Sequence, residues 1–166
     1  RNAAREPEIT DLVCFLRGMG ADIAGDGSST LTINGVSELK ASHYRVMPDR
    51  IEAGTFLVAA AATRGRITLE GANAEHLNVV VDKLRDAGVS VLVEEGRITA
   101  DMRSGRPKAV DLITAPYPGF PTDMQAQFTA LNVIAEGEGQ ITETIFENRL
   151  MQAREMSRMG ADIKID

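Results

Sequence analysis

Residues Thr55–Ala62 read TFLVAAAA, a helical stretch that is apolar on every side. Such a helix has to be covered all round, so it is expected at the centre of its domain. The strands around it alternate instead, as in Ile67, Thr68, Leu69, Glu70 and again in Ile163, Lys164, Ile165, Asp166. Alternation gives a sheet one buried and one wetted face. Together the two patterns place helices inside and sheets outside, the inverse of the usual α/β layering.

Working outward from that helix, a repeated unit emerges. The middle copy runs from a helix at Asp49 to about Ala62, through a strand RITLEGA, to a helix ending VDKLRDAG. Strands VSVLVE and RITAD then flank the turn EEG. A later copy has a helix from Thr122 to Ala135, a strand QITETIF, a helix ending REMSRMG and a strand ADIKID. The first residues supply only a second half: a helix ending FLRGMG, a strand ADIA, a hairpin turn GDGSS and a strand TLTING. Gly20, Gly88 and Gly160 mark equivalent helix ends, where glycine relieves a left-handed cap, at intervals of about 70 residues. Repeats normally stack whole, so one complete copy between two partial ones, behind an initial Arg1, is expected of a fragment of a longer protein. The second helices are amphipathic, with Ile9, Leu12, Val13 and Leu16 spaced as Leu77, Val80, Val81 and Leu84 are. The segment Gly35–Pro48, which contains an extended HYRV, belongs to neither copy and is expected to cross between two lobes. Residues 1–43 are therefore assigned to the C-terminal part of one lobe with the start of the crossing, and 44–166 to most of the second.

Composition narrows the function. With 43% apolar and 25% charged residues the 166-residue chain is globular. A net charge of −6 and a pI near 5.0 do not suit a protein that coats nucleic acid or an anionic membrane. No run approaches the roughly 20 apolar residues of a membrane span, and a cytoplasmic location is expected. One cysteine, Cys14, excludes an internal disulfide, and with two histidines, His43 and His76, it is thin material for a metal site. No cofactor is expected. Cys14 lies off the apolar stripe of its helix, and Arg103, Arg106 and Lys108 form a basic loop of the kind that is ordinarily solvated.

One residue raises the question of whether it is electrostatic trim at a helix end or has a task of its own. In Gly119–Leu131, GFPTDMQAQFTAL, Thr122 and Gln125 have the spacing of a capping box, and Pro121 halts anything upstream. The helix start is thereby accounted for, yet a further carboxylate, Asp123, sits in the first turn. There the helix dipole favours the anion.

The longer strings answer the question. NAAREPEI, YRVMPDRIEAGTFLVAAA, VDKLRDAG, RPKAVDLITAPYPGFPTDMQAQF, ITETIFENR and EMSRMGA resemble, in order and over essentially the whole chain, the bacterial UDP-N-acetylglucosamine enolpyruvyl transferases of the EPSP synthase superfamily. The resemblance implies two lobes, each an inside-out α/β barrel of repeated units. It also implies transfer of the enolpyruvyl group of phosphoenolpyruvate to the 3-hydroxyl of UDP-N-acetylglucosamine with release of phosphate. The partners implied are thus these two small molecules, with no nucleic acid and no membrane. Asp123 matches the aspartate that binds the sugar and receives the proton of the attacking hydroxyl. Asp49, in the corresponding place of the middle repeat, is expected to share only the structural role. Ile145 matches a position, usually valine, that contacts the nucleotide sugar from a strand end whose backbone groups are free for ligand. Phe146 and Arg149 follow in the shared FENR, and Tyr117 stands where the family often has histidine.

The family's Lys–Asn pair, its reactive loop with a cysteine, and several substrate-binding arginines have no counterpart in these residues. The chain alone is therefore expected to be inactive. Two other readings stay open: the related 3-phosphoshikimate 1-carboxyvinyltransferase, and a non-catalytic binding protein that kept the barrel fold.

Overall fold

The structure is a computed structural model and describes residues 1–165. It resolves into two compact units, Arg1–Met47 with Pro116–Pro118, and Pro48–Ala115 with Gly119 onward.

In the first unit, helix α1 (Pro7–Gly18) starts with proline at its first turn, where the missing amide costs nothing. Strands β1 (Asp22–Ala24) and β2 (Thr32–Asn34) follow as an antiparallel hairpin. Residues 35–47 carry no regular structure and run along α1. Asp11 fastens them: its Oδ1 accepts from the Tyr44 hydroxyl at 2.8 Å and from the Met47 amide at 3.2 Å.

The second unit is built around α2 (Arg50–Ala62). This helix packs on strands β3 (Arg66–Glu70) and β5 (Arg97–Asp101) and on helices α3 (Asn78–Asp86) and α4 (Gln125–Ile134). With β4 (Ser90–Glu94) the sheet is antiparallel, in the order β3-β5-β4. Strands β6 (Leu112–Ile113) and β7 (Ile141–Thr142) form a short parallel pair, and α5 (Met151–Arg158) packs against α4. The core runs continuously from Leu57 and Ala61 through Leu77, Val80, Leu84 and Ile98 to Met124, Phe128 and Leu131.

The repeat is visible in the backbone. Gly20, Gly88 and Gly160 have φ of +99°, +87° and +101°. Each ends its helix with the same pair of bonds, the glycine amide to a carbonyl three residues back and the next amide to one five back. That is the Schellman geometry, in which glycine avoids the steric penalty of the left-handed region. The α/β class and the order helix, strand, helix, hairpin in the middle copy agree with the sequence reading.

Four expectations need correction. Helix α2 is central but not covered all round, since Phe56 is 48% exposed and Ala59 lies on the same open face. The stripe of α1 is only half buried, with Leu12 50% exposed, whereas that of α3 is sealed beneath α2 and β4. Burial follows available neighbours, not periodicity alone. The strand expected over QITETIF shrinks to Ile141–Thr142, because Glu143 turns its carboxylate onto the following backbone. Residues 161–165 of ADIKID pair with no strand; the position that β5 fills in the middle copy has no counterpart among the described residues, and Asp166 lies outside them.

Candidate functional site

Three pieces of the second unit meet at one end of the β6–β7 pair: Thr114 just past β6, the 3₁₀ turn Thr122–Met124 ahead of α4, and the loop Glu143–Arg149 after β7. The turn is anchored from below. Met124 and Phe128 are fully buried, and Phe120 meets Phe128 edge to face at 5.1 Å between ring centres. Asp123 therefore sits on a rigid base while its own side chain points outward.

The expected capping box does not form. Helix α4 begins at Gln125 with no side-chain cap, and the Thr122 hydroxyl instead donates to Glu143 Oε2 at 2.8 Å. Gln125 turns into the protein, where its Oε1 accepts from Gln152 at 2.5 Å. A hydrogen bond donated to a charged carboxylate is stronger than one between neutral groups, and the bond to Glu143 sets the direction of the Thr122 hydroxyl. Asp123 does not cap either. Its Oδ1 accepts from an Arg149 guanidinium nitrogen at 2.7 Å, and its side chain stays 56% exposed. Arg149 in turn lies over the Phe146 ring, 5.1 Å from its centroid. Asp49 behaves differently, capping α2 by accepting from the Ile51 amide at 2.8 Å and the Glu52 amide at 3.1 Å.

Asp123, Phe146 and Arg149 are thus brought together, with Ile145 next along the loop. Ile145 is half buried, but its amide is not free for ligand as the sequence suggests; it donates to Glu143 Oε1 at 2.8 Å. Tyr117 falls in the other compact unit, where its carbonyl accepts from Arg5. The basic loop is exposed at Arg103, Arg106 and Lys108, as its composition suggests, and two of its arginines also have partners. Arg103 pairs with Asp101 at 2.7 Å, and Arg106 donates to the Ile134 carbonyl at 2.8 Å. Cys14 is exposed. Among the described residues, no three of His, Cys, Asp and Glu gather where they could hold a metal ion. None of the helices described is long and apolar enough to cross a membrane.

Glu143 is the site residue that the sequence reading missed. Its carboxylate accepts from the amides of Ile145 and Phe146 and from the hydroxyls of Thr114 and Thr122. Burial raises its pKa, but these four bonds outweigh burial and hold it below the ordinary carboxylate value. A signal was present: in ITETI, Glu143 has the parity of Ile141 and Ile145 and so stands on the inward face of an alternating run. An inward acid needs donors around it.

This geometry belongs to a chain whose full length, residues 1–166, matches the family model for EPSP synthase (3-phosphoshikimate 1-carboxyvinyltransferase). The chain belongs to the EPSP synthase family. Within it, the UDP-N-acetylglucosamine 1-carboxyvinyltransferase of Histophilus somni is 58% identical over 165 residues, which cover 99% of this chain and 39% of that protein. The protein of the same name from Salmonella gallinarum is also 58% identical over the same shares of each chain. The crystal structure of the enolpyruvyl transferase NikO from Streptomyces tendae superposes with a TM-score of 0.86 at 29% identity, covering 100% of this chain and 40% of that one. This EPSP synthase family member thus spans about two fifths of the length of the relatives it matches.

Proposed function

We propose that the chain is part of a carboxyvinyl transferase that moves the enolpyruvyl group of phosphoenolpyruvate to the 3-hydroxyl of UDP-N-acetylglucosamine. The observation that carries this reading is the release of Asp123 from helix capping. Its carboxylate is exposed, fixed by Arg149 on one oxygen, and set on a buried base. The 58% identity to proteins named for this reaction supports the choice of substrate.

In the proposed mechanism Asp123 accepts a hydrogen bond from the sugar hydroxyl and aligns its oxygen with phosphoenolpyruvate. Any carboxylate is a far weaker base than the alkoxide of a sugar hydroxyl, so the proton moves late, once the forming C–O bond has made the hydroxyl oxygen acidic. As that bond forms at C2 of phosphoenolpyruvate, its C3 methylene takes up a proton; the C–O bond to phosphate then breaks, phosphate leaves, and C3 gives the proton up again to restore the double bond. Ile145 and Phe146 contact the nucleotide sugar. Arg149 holds the Asp123 carboxylate in place and adds positive charge beside a phosphate-rich substrate. Residues 1–43 belong to one lobe and 44–166 to the other. The protein works in the cytoplasm at the first committed step of peptidoglycan synthesis, and so bears on cell wall biogenesis, cell shape and cell division; its acidic balance suits small anionic substrates less by attraction than by local cations such as Arg149.

The test is phosphate release by the intact gene product that contains this chain, with phosphoenolpyruvate and either UDP-N-acetylglucosamine or shikimate 3-phosphate. Turnover with the nucleotide sugar alone supports the proposal. Turnover with shikimate 3-phosphate alone assigns the chain to the second branch of the family, and binding without turnover of either assigns it to a non-catalytic role.

A further inference from the structure

We infer that Glu143 is a positioning residue that assembles the site by tying the loop bearing Ile145, Phe146 and Arg149 to the turn bearing Asp123. The inference rests on the proposed function for its catalytic readout, though not for its structural one. Among the described residues, four donors and no cation converge on this carboxylate. Oε1 accepts from the Ile145 amide at 2.8 Å, the Thr114 hydroxyl at 3.0 Å and the Phe146 amide at 3.2 Å, while Oε2 accepts from the Thr122 hydroxyl at 2.8 Å. Thr114 closes the ring. Fully buried, it takes the Thr144 amide on its hydroxyl at 2.8 Å and the Thr144 hydroxyl on its carbonyl at 2.5 Å.

The consequence is mechanical. Thr122 is the residue before Asp123, and the loop that Glu143 folds delivers Arg149 to the Asp123 carboxylate at 2.7 Å. Without Glu143, two amides and two hydroxyls lose their acceptor, and the loop has no reason to keep its course. A displacement of about 1 Å is enough to cost a reaction about 100-fold. Glu143 touches no substrate in this account; it acts through Asp123 and Arg149.

The test uses the intact parent protein. Glu143→Ala is expected to lower kcat/KM for UDP-N-acetylglucosamine about 100-fold, with a raised KM for that substrate and an unchanged KM for phosphoenolpyruvate. Glu143→Gln keeps the Oε1 bonds, and the Thr122 hydroxyl can rotate to accept from its amide, so most of the loss is recovered. Amide hydrogen exchange gives a second readout, because Ile145 and Phe146 are protected in the wild type and in Glu143→Gln and exposed in Glu143→Ala. Should Glu143→Ala not fold, Thr114→Val decides: it removes one spoke and the acceptor of the Thr144 amide, and the same KM rises while that amide exchanges freely. Unchanged exchange and an unchanged KM for the sugar nucleotide in whichever of these two variants folds overturn the inference. A wild-type parent that does not turn over UDP-N-acetylglucosamine overturns the proposed function instead, and the exchange pattern still reports on Glu143.

Discussion

Asp49 and Asp123 both stand at the head of a helix, yet their carboxylates have separate tasks. Asp49 satisfies two backbone amides of α2, whereas Asp123 satisfies none and faces Arg149. Their substitutions are therefore expected to have opposite signatures. Asp49→Ala loses a cap and costs about 1 kcal/mol, seen as a lower denaturation midpoint, with kcat of the parent unchanged. Asp123→Ala loses only an exposed ion pair, worth about 0–1 kcal/mol, while kcat falls by about 100-fold or more, the scale of a lost acid–base group. Equal effects of the two on turnover would remove the distinction on which the proposed function stands. The presence of Asp123 in one matching string and of Phe146 and Arg149 in another was readable from residue order. Their contact was not, since Asp123 and Arg149 lie 26 positions apart and meet only because β7 runs beside β6.

Among the elements, the crossing of α2 with the turn before α4 sets the height of the site. A side chain at Gly54 would meet the Met124 sulfur and methyl at 3.0 Å, so α2 approaches where Asp123 is carried. Gly54→Val is expected to cost about 1–3 kcal/mol from overpacking and, by pushing Met124, to lower turnover as well; urea unfolding and steady-state kinetics measure the two effects. The end of β5 supplies a pH response. Arg103 bonds the Asp101 carboxyl through its side chain and its amide and, with weaker help from Arg66, holds it down from 3.8 to about 2. A depressed carboxyl stabilises the fold above its unfolded value and ceases to as pH falls through its folded value. Stability is therefore lost between pH 3.8 and about 2, with Glu143 contributing in the same direction from its ordinary 4.5. Asp101→Asn is expected to flatten that acid limb of a melting-temperature profile. Local chemistry made most elements legible, because caps, helix-ending glycines and alternation act within a few residues. Strand β6 and the short length of β7 were not legible, since a two-residue parallel pair is set by its partner.

For the molecule as a whole, the question is how much of a catalyst these residues hold. The chain spans about two fifths of the length of the relatives it matches, and the Lys–Asn pair and reactive loop that the resemblance implies for a complete site have no match within residues 1–166. The isolated 166-residue chain is expected to release no phosphate from phosphoenolpyruvate with UDP-N-acetylglucosamine, while the intact parent does; a phosphate assay on both decides it. The half-buried stripe of α1 and the open face of α2 at Phe56 share one cause in packing: periodicity states which face can be covered, and only neighbours supply the cover. Residue order alone settled the family, the repeat and the helix-ending glycines, because long strings and short-range backbone sterics need no third dimension. The loss of the capping box, the engagement of Asp123 by Arg149 and the four-way hold of Glu143 required folded coordinates. Each depends on which donor reaches a carboxylate first, and that is a matter of distance in space between residues far apart in the chain.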